Sequence, residues 1–202
     1  MATDTRARML ETTARLLQHR GYHGTPLSDI LRESGAPRGS LYFHFPGGKE
    51  QLAIEATRAG IEETTSMLRE ILAAADDPAR GARAFVEAAA GIMGESGYTF
   101  GCPVAPVILD AHANIPELAD LCRRAFEEWT GVLTGAFTQA GILPERASAL
   151  ALLVCASLEG GMLVSRAYRE TEPMQTLAIE IESAIRSAMP QHKTRRTLPA
   201  HR

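Results

Sequence analysis

The chain has 202 residues, of which 45% are hydrophobic, so it is long and apolar enough to fold around a core, and global disorder is excluded. Its formal net charge of −3 gives no sign, taken as a whole, of a nucleic-acid-binding protein. The longest uncharged run, 129–144, spans 16 residues, short of the roughly 20 needed to cross a membrane, and the N-terminus lacks a secretory signal, so we expect a cytoplasmic protein with no membrane partner.

The charges are unevenly distributed along the chain. Residues 1–60 carry 8 basic against 6 acidic side chains, or +2, and residues 61–190 carry 9 against 18, or −9. Residues 191–202 add four basic side chains and no acidic one, and we expect this tail to be disordered. A mildly basic head on an acidic body is typical of a protein that contacts phosphates at one end only.

Apolar residues recur at three- and four-residue steps nearly throughout, which predicts an all-α protein. A first helix ends at Gly21, and a second begins with Thr25 as its N-cap and Pro26 in its first turn. A short third helix covers about 37–45, and a Pro-Gly-Gly break separates it from a fourth that runs towards Asp76. Further helices are predicted near 79–93, 104–112, 117–139, 145–169 and 174–188.

Residues 25–45 have the layout of a helix-turn-helix, whose second helix enters the DNA major groove. That helix reads Pro37-Arg38-Gly39-Ser40-Leu41-Tyr42-Phe43-His44-Phe45 and concentrates a cation, a hydroxyl, a phenol and an imidazole. A helix that only packs does not need so many donors on its exposed face. Arg38 and Lys49 also stand near helix starts, where the helix dipole disfavours a cation by roughly 0.3–1 kcal/mol. Such a placement makes sense if a phosphate binds there.

From about Arg6 to Ala59 the sequence resembles the TetR family of bacterial regulators, most strongly from Thr25 to Lys49. The resemblance implies a three-helix, helix-turn-helix DNA-binding domain over 1–50, a connecting helix over 51–74 and a C-terminal helical ligand-binding and dimerisation domain over 75–190. It implies operator DNA, a small-molecule effector and a second copy of the chain as partners.

The resemblance also assigns roles within the DNA-binding domain. Thr25 and Lys49 would contact flanking phosphates, and Leu41 and Phe45 would be core. Pro37 stands where family members often have Ser or Thr, so a hydroxyl cap is missing there. Tyr42 and Phe43 can instead be core aromatics, and His44 can cap a helix end. By the resemblance, the residues that face the groove are Arg38, Gly39, Ser40, Tyr42 and His44, and Pro37 and Phe43 are further candidate DNA-binding residues.

In the second half, 101–106 and 157–161 look like the TetR branch that contains the lincomycin- and flavonoid-responsive repressors of Gram-positive bacteria. An apolar cavity with a few polar groups is the usual small-molecule site. Each apolar candidate for such a site can equally be plain core. Glu159 can meet a ligand, pair with an arginine across a dimer interface, or lie in solvent. The candidate ligand-binding residues are Phe85, Met93, Phe100, Phe126, Trp129, Leu133, Glu159 and Met162.

The helices near 145–169 and 174–188 are the candidates for dimerisation through a four-helix interface. One recognition helix reads few bases, so a dimer spanning successive major grooves, about 34–36 Å apart, is what the mechanism needs. The candidate interface residues are Leu150, Leu153, Val154, Leu158, Leu177, Ile181 and Ile185.

Two other classes of function compete with this interpretation. Cys102, Asp110 and His112 suggest a thiol hydrolase, but Cys102 precedes a proline, and Asp110 and His112 do not share a helix face. The three cysteines, spaced far apart, indicate neither disulfides nor zinc, so no metal and no cofactor is expected. A DNA-binding protein without an inducer stays open. The motif, the charge distribution and the apolar body together predict a non-enzymatic regulator, a repressor released from a palindromic operator by a small lipophilic or aromatic effector.

Overall fold

The computed structural model describes residues 2–111 and 115–190. Within these ranges every regular element is an α-helix, which confirms the predicted all-α class. The predicted disordered tail, 191–202, and His112 lie outside the described residues. The helices are α1 (Ala2–Arg20), α2 (Leu27–Ser34), α3 (Arg38–His44), α4 (Gly48–Ala74), α5 (Pro78–Glu95), α6 (Ala105–Ala111), α7 (Pro116–Gln139), α8 (Pro144–Tyr168) and α9 (Glu172–Ala188).

The helix boundaries follow from local backbone chemistry. α5, α7, α8 and α9 each have a proline in the first turn, where its missing N–H would be unpaired anyway. Asp77 caps α5 by accepting hydrogen bonds from the N–H groups of Ala79 and Arg80, at 2.9 and 3.0 Å. α2 ends at Gly35, whose φ of +64° is a left-handed conformation that glycine adopts without strain.

The start of α2 differs from the sequence prediction. The N-cap is Pro26, with no side-chain cap, and Thr25 lies one residue earlier. The Thr25 hydroxyl donates instead to the carbonyl oxygen of Gly21 at 2.7 Å and so closes the turn after α1. A threonine hydroxyl serves a helix cap or a tight turn equally well, which is why the local sequence did not separate the two roles.

The molecule has two hydrophobic clusters, and α4 contributes to both. The smaller cluster joins α1, α2, α3 and the beginning of α4, and the larger one is built from α4 to α9 with Leu17 of α1. Leu41 and Phe45 are fully buried in the smaller cluster, as predicted. α4 is therefore a continuous rod between the two halves. The smaller cluster consists of Met9, Leu16, Ile30, Ala36, Leu41, Phe45 and Leu52.

In the larger half, α5 packs on α9, α7 packs on α8, and α8 packs on α9, while α4 lies against α5 and α7. α6 is short and packs against both α7 and α1. This arrangement leaves a cavity between α4, α5, α7 and α8, and it brings the end of α6 close to the loop between α1 and α2.

Candidate DNA-binding helix and ligand pocket

α3 turns one side to the core and the other to solvent. Leu41 and Phe45, one helical turn apart, are fully buried, whereas Tyr42 and Phe43 are 62% and 77% exposed. The exposed side is therefore aromatic and polar. The remaining candidates on this segment are exposed or partly exposed: Pro37, Arg38, Gly39, Ser40 and His44.

The exposure of Phe43 and Tyr42 removes the alternative that they are core aromatics. The Phe43 ring stands edge-on to the His44 imidazole, with ring centroids 4.9 Å apart. An apolar ring on this face can contact a thymine methyl group, and the Tyr42 hydroxyl can hydrogen-bond to a base edge or a phosphate.

Arg38 differs from two other arginines of the N-terminal half in its ion pairing. Arg20 and Arg32 both form ion pairs with Asp29, at 3.1 and 2.7 Å. Within the part of the chain that the structure describes, Arg38 has no carboxylate partner, although it is exposed at the start of α3. A cation in this position is free to meet a phosphate or a guanine edge.

The structure treats the two candidate phosphate contacts differently. The Thr25 side chain is fully buried and its hydroxyl donates to the carbonyl oxygen of Gly21, so its position does not favour the predicted phosphate contact. Lys49 is partly buried, and its Nζ donates to the carbonyl oxygen of Tyr22 at 2.7 Å, 4.0 Å from the Tyr22 ring centroid. Burial lowers the pKa of Lys49, while the charge of Asp110 acts the opposite way. A phosphate contact by Lys49 stays a prediction.

A cavity of about 320 Å³ lies between α4, α5, α7, α8 and the loop that precedes α6. This volume is at the lower end of the range for small-molecule sites, roughly 300–1,000 Å³. All eight residues proposed from the sequence line this cavity: Phe85, Met93, Phe100, Phe126, Trp129, Leu133, Glu159 and Met162.

Sequence reasoning missed the face that α4 presents to the cavity. Gly60, Thr64 and Leu68 follow one another at four-residue steps, which is a helical face, but none of them is distinctive alone. A Cβ on Gly60 would meet Pro103 at 3.0 Å, so glycine allows α4 to lie against the loop before α6. The other lining residues that were missed are Gln18, Glu63, Met67, Ala89, Ile92, Gly101, Cys102, Pro103, Cys155 and Leu158.

The aromatic wall of the cavity is fixed by polar and edge-on contacts. The indole N–H of Trp129 donates to the Thr65 hydroxyl of α4 at 2.9 Å, in a buried position. Phe126 packs edge-on against Trp129, with ring centroids 5.4 Å apart. The wall thus ties α7 to α4 at the point where a ligand would lie.

Glu159 is the acidic residue that α8 contributes to the cavity. It is partly buried, lines the cavity and hydrogen-bonds with the Cys102 thiol. Burial raises the pKa of Glu159, and burial together with the Glu159 charge raises the pKa of Cys102 well above its usual value and that of Cys155 to about 11. Of the three sequence alternatives for Glu159, the structure therefore supports the ligand-facing one.

The segment between α5 and α6 is held in place from α8. Arg166 donates from Nε to the carbonyl oxygen of Tyr98 at 3.1 Å, and from its guanidinium to the carbonyl of Phe100 at 3.2 Å. Gly101 leaves room for this side chain, because a Cβ there would meet the guanidinium at 2.9 Å. Phe100 and Cys102 are thus positioned as one wall of the cavity.

The far end of α6 contacts the DNA-binding half. Asp110 Oδ2 accepts a hydrogen bond from the backbone N–H of His23, with N and O 2.6 Å apart. Gly21, with φ +68°, makes space for this carboxylate, since a Cβ would lie 2.5 Å from it. The cavity wall and the loop after α1 are therefore joined by one short helix.

Comparison with known proteins decides the family. The model for "Bacterial regulatory proteins, tetR family" matches residues 9–56, and the model for "Transcriptional regulator LmrA/YxaF-like, C-terminal domain" matches residues 78–180, half of the chain. The HTH-type transcriptional regulator LmrA of Bacillus subtilis is 37% identical over 85% of this chain and 91% of its own length. This chain belongs to the TetR family of transcriptional regulators.

Two further relatives agree with this placement. An uncharacterised HTH-type transcriptional regulator of Bacillus subtilis, YxaF, is 31% identical over 91% of this chain and 96% of its own length. A TetR transcriptional regulator from Chloroflexus aurantiacus is 26% identical, has a TM-score of 0.82 and covers 93% of this chain and 97% of that one. The similarity covers both halves, so the helix-turn-helix and the C-terminal domain of this TetR-family chain are arranged as in that structure.

The candidate dimer residues of this regulator need a correction. Inside the single chain, Leu150, Val154 and Ile185 are essentially fully buried, and Leu177 is partly buried. Leu150, Val154 and Ile185 therefore pack α8 and α9 into their own chain and are not exposed to a second one, and Leu177 is only partly accessible. The same holds for Leu158, which lines the cavity, and for Ile181. Of the predicted set, Leu153 alone is exposed, at 43%.

The exposed face of α8 carries a different apolar stripe. Leu152 and Leu163 are 63% and 71% exposed, and Ile179 of α9 is 51% exposed. α8 has apolar residues on both of its faces, so the sequence pattern alone did not indicate which face is exposed on the chain. The full stripe on α8 is Ala149, Leu152, Leu153, Ala156, Gly160, Leu163, Val164 and Ala167.

α8 is also long and apolar enough, by length and composition alone, to cross a membrane, which the sequence analysis did not anticipate. Glu159 interrupts its uncharged run, and for that reason a search for uncharged segments passes over it. A third of the qualifying stretch is buried inside the chain. In a TetR-type regulator, a helix with one core face and one apolar outer face accounts for this composition.

The surroundings of Cys102 and Asp110 do not favour the thiol-hydrolase alternative. His112 lies outside the described residues, and Asp110 accepts the backbone N–H of His23. Cys102 is buried, and its raised pKa favours the thiol over the nucleophilic thiolate. The relatives that match over both halves are named as transcriptional regulators.

Proposed function

We propose that this regulator is a homodimeric, cytoplasmic repressor that binds a palindromic operator and is released by a small lipophilic or aromatic effector. The observation that carries this proposal is that one helix, α4, connects the exposed side of α3 with the cavity. α3 packs on the smaller hydrophobic cluster and exposes its other side, the cavity lies in the larger cluster, and α4 contributes to both clusters.

The same rod supports the proposed transmission of the signal. Leu52, near the start of α4, is buried in the N-terminal core, whereas Gly60 and Thr64, two and three turns later, line the cavity. An effector that pushes on the cavity side of α4 shifts the helix that carries α3. Release follows only if the effector binds the non-DNA-binding conformation more tightly, since equal affinity for both shifts nothing.

Dimerisation is supported by the apolar outer stripe of α8, in which Gly160 allows a second helix to approach closely. A Cβ at Gly160 would meet no atom of its own chain within 4 Å. The proposal requires that pairing of α8 and α9 with their copies brings two α3 helices to one face of the dimer. Their separation must match successive major grooves, about 34–36 Å apart.

The first experiment is a gel shift on the DNA upstream of the regulator's own gene, at a stated salt concentration. Arg38→Ala is expected to weaken the specific complex by roughly 1–3 kcal/mol if Arg38 contacts a base. The matched control is Arg146→Ala, which removes an exposed arginine at the start of α8 and leaves binding unchanged.

A specific shift that Arg38→Ala weakens and Arg146→Ala does not supports the DNA-binding part of the proposal. Equal loss in both variants contradicts it, because the effect is then one of overall charge. The same assay separates an inducible repressor from a DNA-binding protein without an inducer: ligands that fill the cavity release the operator in the first case only.

A further inference from the structure

The charged side chains among the described residues that line the cavity are all acidic. Its lining includes the carboxylates of Glu63 and Glu159, and among the described residues that form it there is no lysine, arginine or histidine. The surrounding body is acidic as well, with a net charge of −9 over residues 61–190. An anionic ligand would thus enter against the local potential, and a cationic one with it.

Glu159 is a partly buried carboxylate on the wall of the cavity. In the described part of the chain no basic side chain forms an ion pair with it, and its side chain hydrogen-bonds with the Cys102 thiol, a weak donor. The nearby Arg166 is committed to the carbonyl oxygens of the segment before α6. An ionised carboxylate in such a site is costly unless a cation or strong donors reach it.

The other walls favour the same type of ligand. Phe126 and Trp129 present aromatic surface, joined by Phe85 and Phe100. Aromatic faces attract cations, most strongly when the pair is desolvated, and they also hold the apolar body of a ligand. Carboxylate and rings together describe a site for a positive charge on a hydrophobic frame.

We propose that the effector is a lipophilic amine, a small aromatic or aliphatic molecule with a protonated nitrogen that pairs with Glu159 inside the aromatic walls. This inference rests on the proposed function only in calling the ligand an effector. The preference of the cavity for a cation stands on the wall residues themselves.

The test compares three ligands with one hydrophobic frame. Biphenylmethylamine, biphenylmethanol and biphenylcarboxylate present a cation, a neutral hydroxyl and an anion at neutral pH. Binding is followed by the fluorescence of Trp129, which is the chain's single tryptophan and lines the cavity. The full chain is used, unmodified and with Glu159→Gln. Glu62→Gln is the matched control, since it removes the same charge from an exposed position of α4 outside the cavity.

In the unmodified protein the amine is expected to bind at least about tenfold more tightly than the alcohol, and the carboxylate more weakly than both. Glu159→Gln is expected to reduce the ratio of amine to alcohol affinity to near one, and Glu62→Gln to preserve it. The ratio is internal to each variant, and a circular dichroism melt confirms that Glu159→Gln folds.

Equal affinity for amine and alcohol, no binding of the amine, or a preference that survives Glu159→Gln would each overturn the inference. Operator release is measured separately by gel shift. If the charge preference is present and no ligand releases the operator, the ligand class stands and the proposed regulation fails. If alcohol and amine bind and release the operator alike, the regulation stands and the ligand class fails.

Discussion

Glu159 is held in the folded protein in a state that disfavours its charge. Burial raises the pKa of this carboxyl above its ordinary value. Between the ordinary and the raised pKa, the folded state binds more protons than the unfolded state, so stability is lost as the pH rises through this window. In the absence of a ligand, the carboxylate therefore destabilises the protein near neutral pH.

It follows that Glu159→Gln should raise the melting temperature at about pH 7.5, and that this gain should shrink as the pH falls towards about 4.5. An amide keeps the shape and can still accept from the Cys102 thiol without a charge to desolvate. In a protein of this size about 1 kcal/mol corresponds to roughly 2–4 °C. Differential scanning calorimetry at several pH values measures the effect, with Glu62→Gln as control. A gain that does not vary with pH contradicts the assigned cause.

Leu41 and Tyr42 are neighbours in sequence and differ in what they support. Leu41→Ala should reduce the free energy of unfolding by about 2–5 kcal/mol, because a fully buried side chain is removed from the N-terminal core. Tyr42→Ala, at 62% exposure, should change it by no more than about 0.5 kcal/mol, yet weaken specific operator binding by roughly 1–3 kcal/mol.

Urea unfolding and a gel shift on the same two variants separate these roles. A large loss of stability in Tyr42→Ala would show that the phenol supports the fold and would remove it from the recognition surface. Unchanged operator binding in Tyr42→Ala would likewise show that the exposed side of α3 is not what reads the DNA.

At the scale of helices, the sequence was most informative where backbone chemistry is local. Gly35 ends α2 and prolines open α5, α7, α8 and α9 because their conformational limits act at the residue itself. The aromatic and thioether residues of the cavity could be found because large apolar side chains on several helices must meet somewhere. The contribution of α4 could not, because Gly60 and Thr64 carry no such signal.

The outer face of α8 shows the limit of a periodic pattern. Leu150 and Leu153 are both apolar, and only the packing of α7 and α9 decides that Leu150 is buried and Leu153 exposed. Both stripes satisfy the spacing of a helix interface. The face of α8 that is free to contact a second chain can therefore be identified only once the packing of α8 within its own chain is known.

Gly160→Leu tests this face directly. The new side chain meets no atom of its own chain within 4 Å at its Cβ, and leucine favours a helix over glycine by roughly 0.8–1 kcal/mol. The chain should keep its helix content, while the closely packed helices of a dimer should be forced apart. Sedimentation velocity should then show a shift from dimer to monomer, together with weaker operator binding.

The matched control for that experiment is Gly131→Leu on α7, which is also exposed and also has an empty Cβ position. It should leave the dimer intact. A dimer that persists in Gly160→Leu would place the interface on another surface.

For the whole molecule, the cavity and the DNA-binding half are joined in two ways. α4 contributes to both hydrophobic clusters, and α6 begins just after the cavity residues Cys102 and Pro103 and carries Asp110 in its last turn. Asp110 holds the loop after α1 through the His23 N–H. We therefore predict that a ligand that displaces the Cys102 wall shifts α6 and acts on the DNA-binding half through Asp110, at a point separate from α4.

If α6 transmits the signal, Asp110→Ala should leave a folded, ligand-binding protein in which the ligand no longer lowers operator affinity to the same extent. Coupling between two sites is commonly 5- to 150-fold, and we expect a reduction of at least about fivefold in the ratio of operator affinities without and with ligand. The ligand in this experiment is a compound that quenches the fluorescence of Trp129. The control is Asp76→Ala, which removes an exposed carboxylate between α4 and α5.

Linkage provides a second measurement of the same quantity, because the operator must change the affinity for the ligand by the factor by which the ligand changes the affinity for the operator. Trp129 titrations with and without operator DNA should therefore give the same reduced factor in Asp110→Ala as the gel shift does. Coupling that is intact in both assays would assign transmission to α4 alone. Coupling lost in both, with Asp76→Ala unaffected, would make the contact between Asp110 and the loop after α1 part of the path from cavity to operator.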